Sequence, residues 1–154
     1  MRKTQIGCIV FRKKGNTREF LLLRRISEKG GFWQPVSGGK EKQDKTLLDA
    51  AYRELKEEAN IKQEDVLRVF EKVHHFKINR HYLTGEPIPE INEYVFGFEV
   101  KPDVNVSINV NIYPEHDKKK WVLFEEAIEL LKWEHNKYAF KKLNNLLDKG
   151  DNCH

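Results

Sequence analysis

The sequence predicts an α/β protein with a mixed β-sheet, and three observations lead there. Apolar, β-rich runs come in neighbouring pairs joined by turn residues, the pattern of hairpins. Between the pairs stands a run with apolar residues at helical spacing, and two more helical patterns close the chain. The length of 154 residues is that of one domain, and nine Phe, five Tyr and three Trp supply the apolar area a core requires.

Taken in order, residues 5–12 and 19–25 form the first hairpin, turned at Gly15-Asn16, where positive φ is tolerated. Residues 27–31 form a loop ending in Gly30-Gly31. The stretch Phe32-Trp33-Gln34-Pro35-Val36-Ser37-Gly38-Gly39 follows. Pro35 cannot donate to a ladder, and Gly38-Gly39 lets backbone approach another group closely. Residues 46–58 are the clearest helix: Thr46 caps the start with Asp49 three residues on, and Leu47, Leu48, Ala51 and Leu55 make its apolar face. Asn60 is a left-handed stop. Residues 66–77 and 93–101 form a second strand pair across a Gly/Pro-rich connection at residues 84–89. Residues 104–112 alternate apolar with polar and read as a strand with one wet face. Residues 120–124 add a short strand, and residues 125–132 and 136–147 two helices. One domain over residues 1–148 results, with residues 149–154 expected to fray.

Charge excludes little and suggests a ligand. The chain carries 28 Lys+Arg against 24 Asp+Glu, a net +4. The basic residues are scattered, and the run Lys118-Lys119-Lys120 reads as solvated surface. The surplus argues for an anionic ligand rather than a nucleic-acid polymer. No apolar stretch is long enough to span a bilayer, so no membrane partner is expected. No cleavage site follows the N-terminal apolar run, and Cys8 and Cys153 make neither a disulfide framework nor a metal spacing. A cytoplasmic setting is the simplest expectation.

The chemistry concentrates on the first helix. Glu54, Glu57 and Glu58 sit at i, i+3 and i+4 and so project from one face within a turn. Like charges at this spacing repel, which a helix seeking only solubility avoids. Three such carboxylates suit a hard divalent cation that keeps waters and leaves room for phosphates.

In context, Gly38-Gly39-Lys40 followed by Arg53-Glu54-Leu55-x-Glu57-Glu58-x-x-Ile61 resembles the Nudix box, G-x5-E-x7-R-E-U-x-E-E-x-G-U with U aliphatic, over residues 39–61. The resemblance implies a Nudix-type α/β/α sandwich with a mixed β-sheet. It further implies that Glu54, Glu57 and Glu58 hold Mg²⁺ or Mn²⁺, that the Gly38 carbonyl adds a ligand, that Lys40 lies beside phosphates and that Arg53 orients the carboxylates. The implied reaction is attack of water on phosphorus in a diphosphate linkage of a small nucleoside polyphosphate. Two positions depart from the pattern. Asn60 replaces the late glycine and, like glycine, visits the left-handed region. Lys45 replaces the first glutamate, which leaves Asp44 or Glu41 to turn toward Arg53.

Outside the box, Arg24-Arg25, the Phe32–Gly38 stretch and Pro114-Glu115-His116 resemble the bacterial branch acting on dATP and dihydroneopterin triphosphate. That resemblance implies a nucleoside triphosphate-like substrate cleaved to monophosphate and pyrophosphate, with Glu115 as base or extra ligand and Glu93 as its rival. His116 would contact substrate. Arg24, Arg25 and Arg80 are candidate phosphate clamps, because guanidinium forks match phosphate oxygens. Trp33 and Tyr82 are candidates to stack on a base, and His74-His75 reads as a strand pair with one ring on each face. Two other readings stay open: a dinucleoside polyphosphate or RNA 5′-end pyrophosphohydrolase, and a catalytically weak nucleotide-binding module marked by Lys45.

Overall fold

In a computed structural model, which describes residues 3–108 and 114–151, a seven-stranded mixed sheet is built around the first strand. Strand β1 (Thr4–Lys14) turns into β2 (Thr17–Arg25), and two short strands follow, β3 (Trp33–Gln34) and β4 (Val36–Gly39). Helix α1 (Leu47–Ala59) precedes a long hairpin of β5 (Val66–Arg80) and β6 (Pro87–Val100). Strand β7 (His116–Val122) and helices α2 (Phe124–Leu130) and α3 (Glu134–Asp151) complete the chain. The central order is β3-β2-β1-β6-β5, with β4 also on β1 and β7 also on β2. β1 runs parallel to β6 and antiparallel to β2 and β4, which makes the sheet mixed.

Alternation along β1 explains why both faces are covered. Ile6, Cys8 and Val10 point to one side and pack with Ala50, Ala51, Leu55 and Ala59 of α1. Ile9 and Phe11 point to the other, against Ala127 of α2 and Ala139, Phe140 and Leu143 of α3. Small residues set the spacing. A Cβ at Gly97 would come within 2.9 Å of Leu143, so the glycine lets α3 lie close on β6.

Two expectations are corrected. Residues 104–108 form no strand: the apolar side chains of Val104, Val106 and Ile108 pack on the α1-side core while Ser107 N donates to Ala59 O at 3.0 Å. Alternation there serves burial without a ladder; residues 109–112 lie outside the described residues. The second hairpin is longer than expected, because Pro87 opens β6, a position that needs no donor, and the turn closes over residues 81–86 with Gly85 at φ 73°. Helix α3 runs through Asp151. His74 and His75 lie on opposite faces of β5, the first against Tyr138 and the second stacked on Tyr94. No helix is long and apolar enough to cross a membrane.

Candidate active site

Helix α1 begins as its sequence dictates. Thr46 Oγ1 accepts from Asp49 N at 3.0 Å, and Asn60 ends the helix at φ 56°, its N–H donating to Lys56 O. The turn between these caps carries Glu54, Glu57 and Glu58, whose oxygens come within 4.8 Å of one another. Glu54 and Glu58 are only 6% and 9% exposed. Burial pushes the Glu54 carboxyl up to about 7 against the opposing pull of Arg53.

Arg53 organises the cluster. Its Nη1 donates to Glu54 Oε1 at 2.9 Å and to Glu57 Oε2 at 3.1 Å. Its Nη2 donates to the Gly39 carbonyl at 2.8 Å and to Asp44 Oδ2 at 2.8 Å, and its Nε reaches Asp44 Oδ1 at 3.0 Å. Asp44 therefore fills the place Lys45 leaves, while Lys45 is exposed. Asp44 is itself set by a turn, accepting from Glu41 N at 2.8 Å. The hydrogen bond from Arg53 holds its carboxyl below the usual range. Glu41 stays farther off, 3.5 Å from Arg53.

Backbone closeness explains the glycine before the box. A Cβ at Gly38 would lie 2.2 Å from the Glu54 carboxylate, so any side chain there would displace it. Lys40, next along, donates its backbone N–H to Thr4 O at 3.0 Å, which fixes the end of β4 beside β1.

On the far side of the cluster His116 is buried, 2% exposed, with Nδ1 3.2 Å from Glu58 Oε2 and Nε2 2.9 Å from Gln34 Nε2. With the Gln34 amide nitrogen as donor, Nε2 accepts and Nδ1 carries the proton given to Glu58. The structure places His116, expected to contact substrate, against a box glutamate and outside the lining of the neighbouring cavity.

A cavity of about 360 Å³ opens beside Gly38. Arg25, Arg80, Tyr82, Glu93 and Glu115 line it, together with Phe32 and Trp133. Glu115 pairs with Lys29 at 3.1 Å. Burial raises its carboxyl, but Lys29 and Arg25 outweigh burial and hold it below the usual range. Two further candidate residues lie outside this lining. Arg24 turns to Asp117, with two hydrogen bonds at 2.9 Å, and is not part of the lining. Trp33 bridges Leu131 and packs on the α2 and α3 side of the core, so Phe32, Tyr82 and Trp133 supply the aromatic walls instead. Trp133 carried no spacing signal of its own; only the folded loop after α2 brings it in.

The sequence and the fold match known proteins. A profile of the NUDIX domain fits residues 1–143. A structure from Listeria monocytogenes assigned to the NUDIX hydrolases superposes with TM-score 0.77 and 30% identity over 96% of each chain. The E. coli dihydroneopterin triphosphate pyrophosphohydrolase superposes with TM-score 0.72 over 92% of this chain and 94% of that one; at 23% identity this speaks for the fold. An RNA pyrophosphohydrolase of Pelagibacter ubique is 25% identical over 130 residues, 82% of this chain and 79% of that protein. An octanoyltransferase of Myxococcus xanthus is 32% identical over 129 residues, 82% of this chain. The chain spans about a third of that protein's length, 32%, so the name describes a much longer molecule. The chain belongs to the Nudix hydrolase family. Members of that family act on nucleotide-like substrates and generally use divalent metal ions such as Mg²⁺.

Proposed function

We propose that this chain hydrolyses a nucleoside triphosphate-like substrate to the monophosphate and pyrophosphate, with Mg²⁺ or Mn²⁺ held by Glu54, Glu57 and Glu58. The observation that carries the reading is the convergence of these carboxylates, gathered by Arg53 against Gly38, beside a cavity bearing Arg25 and Arg80. An all-oxygen donor set at this separation fits a hard divalent cation. Bound there, the cation supplies neutralisation of phosphate charge and a more acidic attacking water.

The rest of the work belongs to side chains. Arg53 holds two of the carboxylates in place, and His116 holds Glu58 from behind. The Gly38 carbonyl is the backbone ligand of the proposal, and Lys40 stands beside the phosphates. Arg25 and Arg80 take phosphate oxygens on their forks. The water's proton passes to a carboxylate of the site; Glu115, ion-paired and held at low pKa, is the weaker acceptor.

A Mg²⁺ assay over dNTPs, NTPs, pterin triphosphate, diadenosine polyphosphate and 5′-triphosphate RNA, scored for pyrophosphate and phosphate, tests the reading. Pyrophosphate release from small triphosphates is expected. Glu57→Gln and Glu58→Gln are each expected to lower turnover roughly a hundredfold or more while leaving the melting curve intact. Normal turnover in both would remove the metal assignment. A second reading, RNA 5′-end hydrolysis, is favoured by the 25% identical RNA pyrophosphohydrolase and predicts that RNA exceeds every small substrate.

A further inference from the structure

The cavity has a floor unlike its walls. Glu93 is 3% exposed, and among the described residues its hydrogen-bond partner is Gln5, whose Nε2 donates to Oε1 at 2.5 Å. Its Oε2 lies over Gly7, 3.0 Å from where a Cβ there would sit, so the glycine makes room for the carboxylate. No ion pair to Glu93 is present among the described residues. A buried acceptor with one partner and a face on a cavity lacks its full set of hydrogen bonds. The cavity lining combines the charged Arg25, Arg80 and Glu115 with aromatic and aliphatic side chains. Phe32 meets Trp133 edge-on at 5.5 Å and Tyr82 at 6.2 Å, and Ile78 and Ile91 add apolar surface. Arg25 lies over the Tyr82 ring at 5.0 Å.

Charge orients a ligand in such a space. A carboxylate on the floor repels phosphate, so the polyphosphate runs toward Gly38 and the arginines while the uncharged ring enters the cavity. A carboxylate accepts and, when ionised, cannot donate. The ring edge that suits it presents two adjacent N–H donors.

We propose that Glu93 determines ring specificity by accepting paired N–H donors from a 2-amino-oxo edge, the edge shared by guanine and pterin rings. Adenine pairs a donor with a ring nitrogen lone pair on its comparable edge and meets the carboxylate with one favourable and one repulsive contact. The inference rests on the reading of the chain as a nucleoside polyphosphate hydrolase and adds which ring that substrate carries. Burial, partly offset by Gln5, pushes the Glu93 carboxyl up to about 7, so a proton competes with the ring and two N–H donors favour the ionised form.

Equilibrium binding of α,β-methylene GTP and α,β-methylene ATP, each with Mg²⁺, separates ring recognition from turnover. The GTP analogue is expected to bind at least about tenfold more tightly. Glu93→Gln keeps the shape of the side chain but offers one donor and one acceptor. It is expected to bring the two affinities within about threefold, chiefly by weakening the GTP analogue. Equal affinities in the natural protein, or a variant that weakens both analogues alike, would overturn the ring assignment while leaving hydrolysis in the panel untouched. Binding of neither analogue, with no turnover in the panel, would remove the ring assignment and the underlying reading together. A Glu93→Gln protein that loses all turnover yet keeps the tenfold preference would place Glu93 in proton transfer and likewise overturn the ring role.

Discussion

Arg53 is 15% exposed at its side chain and Asp44 is 5% exposed, so their pairing is a buried one with several hydrogen bonds. Breaking a buried pair from one side costs about 3–5 kcal/mol, and here the low end applies because Arg53 keeps Glu54 and Glu57 as partners. Asp44→Ala is therefore expected to lower unfolding free energy by about 3 kcal/mol in urea titration, and turnover with it, because Arg53, the common donor to Glu54 and Glu57, loses the carboxylate that fixes it in place. Lys45→Glu is expected to leave stability within about 0.5 kcal/mol and turnover nearly unchanged, since an exposed residue would be competing for a guanidinium already engaged. A large rate gain in Lys45→Glu would show instead that Asp44 fills the position poorly. Gly38→Ala is expected to abolish activity with a folded chain, because the new methyl would push the Glu54 carboxylate aside.

At the scale of elements, α1 is the part that carries chemistry, and it is short. Thirteen residues are marginal as an isolated helix, so packing and caps hold it. Ala50, Ala51 and Ala59 let it lie close on β1, near enough that the Ala51 carbonyl faces the Cys8 thiol at 3.9 Å. Thr46→Ala removes the acceptor for Asp49 N and is expected to lower stability by about 1 kcal/mol in thermal or chemical unfolding, without changing substrate preference. The helix and its stop at Asn60 were legible because periodicity and capping are local. Residues 104–108 were misread for the complementary reason: alternation records which side chains are buried, and it is silent on whether a neighbouring strand is free to pair. The long β5–β6 hairpin was underestimated because its outer part is mostly exposed and polar, so apolar periodicity fades before the ladder ends.

Across the whole molecule, a buried acid facing a cavity leaves a mark on stability. The Glu93 carboxyl sits at about 7 against an ordinary value of 4.5, so the folded chain binds this proton more tightly than the unfolded chain. Its contribution is full below about pH 4.5 and is lost as pH rises through 7, roughly 3 kcal/mol between those limits. Metal-free protein is expected to lose stability from pH 5 to pH 8 in urea titrations, and Glu93→Gln to lose up to about 3 kcal/mol less over the same range. Equal pH slopes in the two proteins would mean that Glu93 is already solvated in the free cavity.

The spacing of Gly39, Arg53, Glu54, Glu57 and Glu58 determined by itself the family, the helix and the acidic face, because those features depend on residues within a few turns of one another. Tertiary structure alone decided the partners across the fold. It chose Asp44 for Arg53, turned His116 onto Glu58 and Arg24 onto Asp117, and set Glu93 under aromatic walls drawn from the loop before β3, the β5–β6 turn and the loop after α2. Those choices depend on strand register and on which face each side chain meets, and a one-residue change in register reverses the face. Local pattern therefore specified where the three glutamates of the box stand, and the packing of distant strands specified what surrounds them.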